Sequence, residues 1–291
     1  MDHHVKCKEK ISFTKMHGAG NDYIYIDGMH RIPEDLSDLA RKMSDYHFGI
    51  GSDGLVVITR SDVADFRMRM FNSDGSEAEM CGNASRCVGK YVFDRGLTEK
   101  KEVTLETLAG IKVLHLHVVD GSVESVTVDM GRPVLKAADV PAISRNGEKM
   151  IHEECDFGDM QYNVTAVGMG NPHCVIFVDE VTDCQVLGHG PVIEKSTDIF
   201  PKKTNVEFAR VADRQNIEMR VWERGTGETF ACGTGACATA VAAREEGLVD
   251  ESVTLHLRGG DLRIEWSGDP EDHVFMTGPA KFVCDGVFYR Y

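Results

Sequence analysis

The stretch CGTGACATAVAA, residues 232–243, decides the fold of this chain of 291 residues. Cys232 is followed by glycine and by a helical pattern in which every side of the helix is apolar or small. A helix without a polar face must be covered by other structure on all sides. Because strand-like segments outnumber helical ones, we expect a mostly antiparallel sheet to curl around this helix.

The same arrangement occurs 151 residues earlier, where Cys81 begins the stretch CGNA. Three further pairs of segments match at a spacing of 150 or 151 residues: GAGN at 18–21 with GMGN at 168–171, GL at 96–97 with GL at 247–248, and VTL at 103–105 with VTL at 253–255. Four matches in one register indicate an internal duplication, with one cysteine at a helix start in each repeat.

The duplication predicts an α+β fold of two pseudo-symmetric domains, each a mostly antiparallel, β-barrel-like sheet around a central helix. We expect the first domain, which carries Cys81, to comprise residues 1–132 together with a C-terminal strand at about residues 277–291. The second domain, which carries Cys232, is expected over residues 133–276. A chain of this length buries enough apolar surface for two such cores.

The composition is 42% hydrophobic and 27% charged, which is typical of a globular protein. No segment approaches the roughly 18 consecutive apolar residues of a membrane span, and residues 1–10 lack the apolar core of a signal peptide. We therefore expect a cytoplasmic protein without a membrane partner. The net charge of −15 disfavours a nucleic-acid partner, because phosphates bind to a basic protein face.

The nine cysteines are an odd number without disulfide spacing, so we expect reduced thiols. The string GIGSDG at 49–54 matches the dinucleotide-binding pattern, but a helix-like segment precedes it and a strand follows it, the reverse of the required order. A calcium site is not predicted, because the acidic ligands of a calcium loop are missing. A zinc site is not predicted, because the cysteines and histidines lack the spacing of zinc ligands. The sequence predicts neither a metal nor a cofactor.

The positions of Cys81 and Cys232 indicate their chemistry. A helix N-terminus lowers the pKa of a cysteine, because unpaired backbone N–H groups favour the thiolate. Gly82 and Gly233 let a ligand approach the backbone, and the N–H groups of the first turn hold a carboxylate. Two such thiols facing each other across a pocket would remove a proton from one face of an α-carbon and return one to the other. That is racemisation without a cofactor.

Several segments resemble the diaminopimelate epimerase family. They span nearly the whole chain in family order, at residues 15–22, 49–55, 71–87, 170–173, 205–208 and 223–235. The resemblance implies two pseudo-symmetric domains with the site between them. It also implies conversion of LL- to meso-diaminopimelate, for lysine and cell-wall synthesis, without pyridoxal phosphate or metal. A homodimer is expected as well, although no residue pattern specifies the oligomeric state.

Carried over by position, the resemblance implies that Cys81 and Cys232 are the acid/base pair. It places the reacting carboxylate at Gly82, Asn83, Gly233 and Thr234. It assigns further substrate contacts, several of them at the distal amino-acid end, to Asn21, Asn72, Asn171, Asn205, Glu223 and Arg224. Auxiliary roles beside the thiols are implied for His173 and Glu223.

The repeat alignment itself supports a two-ended substrate. Asn72 and Ser73 of the first repeat lie opposite Glu223 and Arg224 of the second, so the two halves differ at this point. An adjacent anion and cation suit the amine and carboxylate of a distal amino-acid group. We therefore expect one asymmetric pocket.

Two departures from the family pattern and three alternative functions remain open. Ala84 stands where many members have glycine, and Gly54 where some have a substrate-contacting glutamine. The alternatives are a pyridoxal-phosphate-independent racemase of another amino acid such as histidine, a thiol–disulfide redox protein, and an amino-acid-binding module without catalysis. The missing Cys-x-x-Cys motif disfavours the redox protein, and a binding module would catalyse no uptake of solvent deuterium.

Overall fold

A computed structural model describes residues 9–291. The chain divides into two compact units: the first runs to Val128 and is completed by Pro279–Tyr291, and the second is Asp129–Gly278. The predicted start of the first domain, at residue 1, lies outside the described residues. The prediction of a two-domain fold with many strands and few helices is confirmed. None of the helices in residues 9–291 is both long and apolar enough to cross a membrane.

The first unit is a mixed sheet with two helices. Its elements are β1 (Glu9–Gly18), β2 (Asn21–Asp27), α1 (Leu36–Ser44), β3 (Gly54–Thr59), β4 (Phe66–Asn72), β5 (Glu77–Ala78), α2 (Gly82–Asp94), β6 (Glu102–Thr107), β7 (Gly110–Val119), most of β8 (Ser122–Gly131), and the C-terminal strand β18 (Lys281–Arg290). The strand order is β18-β1-β2-β3-β4-β6-β7-β8, with β5 added to β4. The pairs β2–β3 and β4–β6 are parallel, and the others are antiparallel.

The second unit repeats this plan. Its elements are β9 (Glu153–Phe157), β10 (Met160–Gly168), β11 (Pro172–Phe177), a π-helical turn (Cys184–His189), α3 (Gly190–Glu194), β12 (Asn205–Asp213), β13 (Asn216–Glu223), β14 (Gly227–Thr229), α4 (Gly233–Glu245), β15 (Ser252–Leu257), β16 (Gly260–Glu265) and β17 (Val274–Pro279). The strand order is β9-β10-β11-β12-β13-β15-β16-β17, with β14 added to β13. The parallel pairs are β11–β12 and β13–β15.

The two strand orders are the same, and the parallel pairs fall at the same places, as a duplication predicts. The one difference is the strand that flanks β1 or β10. In the second unit β9 precedes β10 in sequence, whereas in the first unit β18 comes from the end of the chain. The first unit is therefore complete only when residues near 281–290 return to it.

The cysteine-led helices α2 and α4 are the central helices of their units. All residues from Gly82 to Val92 are buried, and α4 is buried from Gly235 to Ala243. Helix α2 packs on β1, β2 and β7, and α4 packs on β10, β11, β12, β15 and β16. The helix without a polar face is thus enclosed as predicted, by a sheet that curls around it without closing into a barrel.

The middle strands of each sheet are buried on both faces, which matters for the site. In β12, Val206 and Phe208 belong to the outer apolar cluster. Successive side chains of a strand point to opposite faces, so Asn205 and Glu207 point to the inner face, towards α4. The fold therefore places a glutamate in the interior, next to the cysteine-led helix.

Candidate active site

Cys81 is the residue before α2. Its backbone is extended, with φ −137° and ψ 122°, and its carbonyl accepts the first helical hydrogen bond, from Ser85 N at 2.9 Å. The thiol is half-buried. The N–H groups of the following residues, Gly82 and Asn83, belong to the first turn of α2. A thiol and a set of backbone donors thus lie at one helix end.

Asn21 and Asn83 lie beside Cys81. The Cys81 Sγ donates to Asn21 Oδ1 at 3.4 Å, and Asn83 Nδ2 donates to the same oxygen at 3.4 Å. The amide nitrogen of Asn21 donates to Asp53 Oδ2 at 2.7 Å. Asp53 therefore fixes which end of the Asn21 amide faces the thiol. Asp53 was not among the predicted site residues, although its segment, residues 49–55, is one of those that resemble the family.

Asn72 is the last residue of β4, and the residue after it is hydrogen-bonded to Asp53. Its Nδ2 donates to Ser76 Oγ at 3.0 Å, and the next residue, Ser73, donates its N–H to Asp53 O at 3.0 Å. Gly54, the strand partner of Asn72, has no room for a side chain, because a Cβ there would lie 2.1 Å from Phe71 O. The glutamine contact of some family members is therefore not available at this position.

Cys232 is the corresponding residue before α4. It is buried, with φ −116° and ψ 111°, and its Sγ accepts from Gly235 N at 3.4 Å. The Thr234 hydroxyl lies 3.4 Å from the same sulfur. Gly235 has no space for a larger residue, since a Cβ would lie 2.7 Å from Glu207 Oε1 and 3.3 Å from Cys232 Sγ. The sulfur, the first turn of α4 and the Glu207 carboxylate are thus neighbours.

The expectation of a lowered thiol pKa is wrong for Cys232. Burial raises the pKa of the Cys232 thiol well above its usual range, and the carboxylates of Glu223 and Glu207 raise it further. The hydrogen bonds from Thr234 and Gly235 oppose this rise but do not cancel it. In this environment Cys232 is a thiol rather than a thiolate.

Glu223 ends β13 beside Cys232. Burial raises the pKa of its carboxyl group, while hydrogen bonds with Thr229 and with Cys232 oppose the rise. Thr229 Oγ1 donates to Glu223 Oε1. This glutamate therefore contacts the Cys232 thiol.

His173 and Asn171 form a second contact group in the same unit. His173 is fully buried, with Nε2 2.9 Å from Asn171 Oδ1 and Nδ1 2.7 Å from Glu207 Oε1. Glu207 was not among the predicted site residues. A single charged residue within the apolar strand pattern of residues 205–209 was the available signal, because a carboxylate in a buried strand needs a buried partner.

Asn205 and Arg224 are joined to each other at the edge of this group. Asn205 Oδ1 accepts from Arg224 N at 2.8 Å, and its Nδ2 donates to Pro172 O at 3.0 Å. The Arg224 guanidinium is exposed and donates to Lys202 O at 3.1 Å. The Asn205 side chain thus holds the backbone from which Arg224 projects.

The two units offer different chemistry at equivalent helix ends. The first surrounds its cysteine with carboxamides, and the second surrounds its cysteine with carboxylates, a hydroxyl and an imidazole. In residues 9–291 we find no group of three or more histidine, cysteine, aspartate or glutamate side chains that could hold a metal ion.

Comparison with known proteins gives matches over nearly the whole chain. The family model described as diaminopimelate epimerase matches residues 13–136 and 165–283. The diaminopimelate epimerase of Methanococcus maripaludis is 53% identical over 276 residues, 95% of this chain and 99% of the relative. That of Acetivibrio thermocellus is 55% identical over 278 residues, 95% and 98% of the two chains. The crystal structure of a Bacillus anthracis phenazine biosynthesis protein of the PhzF family superposes with a TM-score of 0.72 at 18% identity, covering 96% of this chain and 99% of that one.

Proposed function

The chain belongs to the diaminopimelate epimerase family, and we propose that it converts LL- to meso-diaminopimelate by acid/base chemistry at Cys81 and Cys232. The observation that carries the proposal is the repeated helix end: each repeat presents one cysteine immediately before a buried central helix. Around these equivalent cysteines the two repeats differ in their polar groups, as expected of an asymmetric pocket for a two-ended substrate.

The reaction inverts one α-carbon in two proton transfers. A cysteine thiolate takes the α-proton and becomes a thiol, and the C–H electron pair moves into the α-carboxylate as an enolate-like charge. The other cysteine, a thiol, delivers its proton to the opposite face and becomes the thiolate. The N–H groups of the first turns, at Gly82 and Asn83 and at Gly233 and Thr234, bind the carboxylate and stabilise the developing charge. The reverse reaction uses the cysteines in exchanged roles.

The surrounding residues take complementary roles in this proposal. Asn21 orients the Cys81 thiol, and Glu223 and His173 act beside Cys232, as their contacts support. Asn72, Asn171 and Arg224 bind the distal amino-acid group. The contacts of Asn205 favour a supporting role, because both ends of its amide are engaged by backbone atoms. The two thiols and the helix N–H groups supply base, acid and charge stabilisation, so the chemistry needs no cofactor.

We also propose a cytoplasmic homodimer that serves lysine and cell-wall synthesis. Strand β18 supports the second copy: it flanks β1 at the end of the strand order of the first unit, and Val287 and Tyr289, which lie on one of its faces, are about half exposed. Exposed apolar side chains along a terminal strand are typical of a surface that pairs with another chain. Sedimentation of the wild type and of Val287→Lys tests this; a dimer that the substitution leaves intact would exclude β18 as the interface.

Deuterium exchange tests the proposed activity. LL-diaminopimelate is incubated with the protein in deuterated water, and α-deuterium and stereochemistry are followed together. We expect one α-deuterium per inversion and formation of the meso isomer. Inversion of histidine or another amino acid, but not of diaminopimelate, would favour the other racemases, and binding without exchange would contradict catalysis.

A further inference from the structure

Glu207 is a fully buried glutamate whose two carboxylate oxygens differ in their hydrogen bonds. Oε1 lies 2.7 Å from His173 Nδ1, whereas Oε2 has no hydrogen-bond partner among residues 9–291. Buried carboxylate oxygens are normally satisfied, so this arrangement is costly. A purely structural ion pair would not need to leave a buried oxygen without a hydrogen bond.

The carboxylate faces the cysteine end of α4. The carboxylate oxygen Oε1 and the Cys232 sulfur lie 2.7 and 3.3 Å from the position that a Cβ of Gly235 would take, so both are close to this residue. The titratable groups around Cys232 are Glu223 on β13, Glu207 on β12 and His173 on β11, with the Thr234 hydroxyl and the Gly235 N–H on α4 itself. Negative charge next to a thiol favours its protonated form.

The histidine orientation follows from the same contact. An ionised carboxylate only accepts hydrogen bonds, so His173 Nδ1 carries the proton that is donated to Glu207. Nε2 lies 2.9 Å from Asn171 Oδ1, which is itself an acceptor, so this contact is a hydrogen bond only when Nε2 also carries a proton or when Asn171 turns its Nδ2 towards the ring. Glu207 therefore determines that Nε2, and not Nδ1, is the ring nitrogen that faces Asn171.

The first repeat has no equivalent of this pair. His173 is the parallel-strand partner of Asn205 on β11 and β12, as Tyr23 is the partner of Gly54 on β2 and β3. Two residues further along these strands stand Glu207 in the second repeat and Val56, also fully buried, in the first. The carboxylate is thus a property of one half of the duplication, and it breaks the symmetry between the two cysteines.

We propose that Glu207 is a positioning residue: its charge, with that of Glu223, keeps Cys232 protonated in the resting protein, and its contact with His173 fixes the imidazole. Cys232 is then the proton donor of the first turnover, and the cysteine of the first repeat removes the proton. This assignment of proton donor and proton acceptor rests on the proposed two-cysteine function. Its test reads the thiol itself and needs no substrate, so it remains decisive whether or not diaminopimelate is turned over.

The experiment is a pH titration of the full-length protein labelled with ¹³C at the cysteine β-carbon. The Cys232 signal is assigned by its absence in Cys232→Ser. In the wild type we expect a thiol at pH 7 that ionises above the ordinary cysteine range. Glu207→Gln keeps the size and the acceptor for Nδ1–H but removes the charge, so the Cys232 midpoint moves to lower pH. Glu207→Asp keeps the charge, and its midpoint stays close to that of the wild type.

Glu153→Gln is the matched control. Glu153 is another buried glutamate of the same unit, and its oxygens accept from Ser144 Oγ at 2.6 Å and Arg145 N at 2.7 Å. It lies in β9, outside the group around Cys232, so its loss leaves the Cys232 midpoint unchanged. A folded Glu207→Gln protein with the wild-type midpoint overturns the proposal. If that variant does not fold, the wild type decides: a Cys232 midpoint within or below the ordinary cysteine range overturns the proposal, and a midpoint above that range supports it.

Discussion

The side-chain nitrogen of Asn21 donates to Asp53 Oδ2 at 2.7 Å, while the oxygen of the same amide accepts from the Cys81 thiol at 3.4 Å. Because the amide is anchored at its nitrogen, its oxygen is held towards the sulfur and the Asn83 side-chain amide. Asp53 thus controls the thiol without contacting it. The two hydrogen bonds of Asn21 thus link the segment after α1, which carries Asp53, to the start of α2.

Replacing Asp53 with alanine frees the Asn21 amide to rotate, so the thiol loses a fixed acceptor. One hydrogen bond of this kind is worth about 0.5–1.5 kcal/mol, and we expect kcat/KM for LL-diaminopimelate to fall roughly three- to tenfold. Steady-state kinetics measure this. Asp62→Ala, at an exposed aspartate of the same unit, is the control and should retain wild-type kinetics. A normal kcat/KM in Asp53→Ala would show that the amide needs no anchor.

Removing one cysteine should separate proton exchange from inversion. Inversion needs both thiols, whereas removal of the α-proton needs only one. Cys81→Ala and Cys232→Ala should each lose epimerisation by about 10²–10⁴-fold, and each should exchange the α-hydrogen of a different stereoisomer. Mass spectrometry of LL- and meso-diaminopimelate in deuterated water distinguishes the two variants. Cys284→Ala, at an exposed cysteine, serves as control; near-normal epimerisation by either active-site variant would exclude the two-base mechanism.

The raised pKa of Cys232 predicts a loss of stability at alkaline pH. A cysteine of the unfolded chain ionises near pH 8.5, whereas burial and two carboxylates keep the Cys232 thiol protonated in the folded state to higher pH. Its contribution to the free energy of unfolding is therefore fully present below pH 8.5 and is lost as the pH rises towards the folded-state pKa.

Urea unfolding of the wild type and of Cys232→Ser between pH 7 and pH 10 tests this. We expect the free energy of unfolding of the wild type to fall more steeply above about pH 8.5 than that of the serine variant. Cys284→Ser, at an exposed thiol, should keep the steep wild-type dependence. Parallel curves for the wild type and Cys232→Ser would mean that the thiol ionises normally in the fold.

Arg224 provides a test of the distal contact. Its guanidinium is exposed, on a turn held by Asn205, and Arg224→Met should remove a charge-assisted hydrogen bond worth about 1.5–3 kcal/mol. Because binding of the remote group also orients the reacting carbon, kcat should fall as well as KM rise. Arg214→Met, at an exposed arginine paired with Asp250, is the matched control. Unchanged kcat/KM in Arg224→Met would favour a racemase that does not recognise a distal group.

Much of the fold could be predicted from local patterns in the sequence. The repeated spacing indicated two similar halves, and the apolar residues of 236–243 required a helix enclosed by strands, because a helix with no polar side cannot face water. The helices found at Gly82–Asp94 and Gly233–Glu245 begin directly after the two cysteines, as expected. These features depend on neighbours within a few residues, which a sequence records directly.

The environment of each thiol was decided only by the tertiary structure. The rule for helix ends predicted a lowered pKa for both cysteines, yet Cys232 lies among carboxylates brought there by β12 and β13. Likewise, Glu207 meets His173, 34 positions earlier, because β11 and β12 pair in parallel and present both side chains to the inner face. Sequence alone determined that the chain is a duplication with a cysteine before each central helix. Which charges surround those cysteines depends on strand order and register, since electrostatic interactions follow distance in space and not separation along the chain.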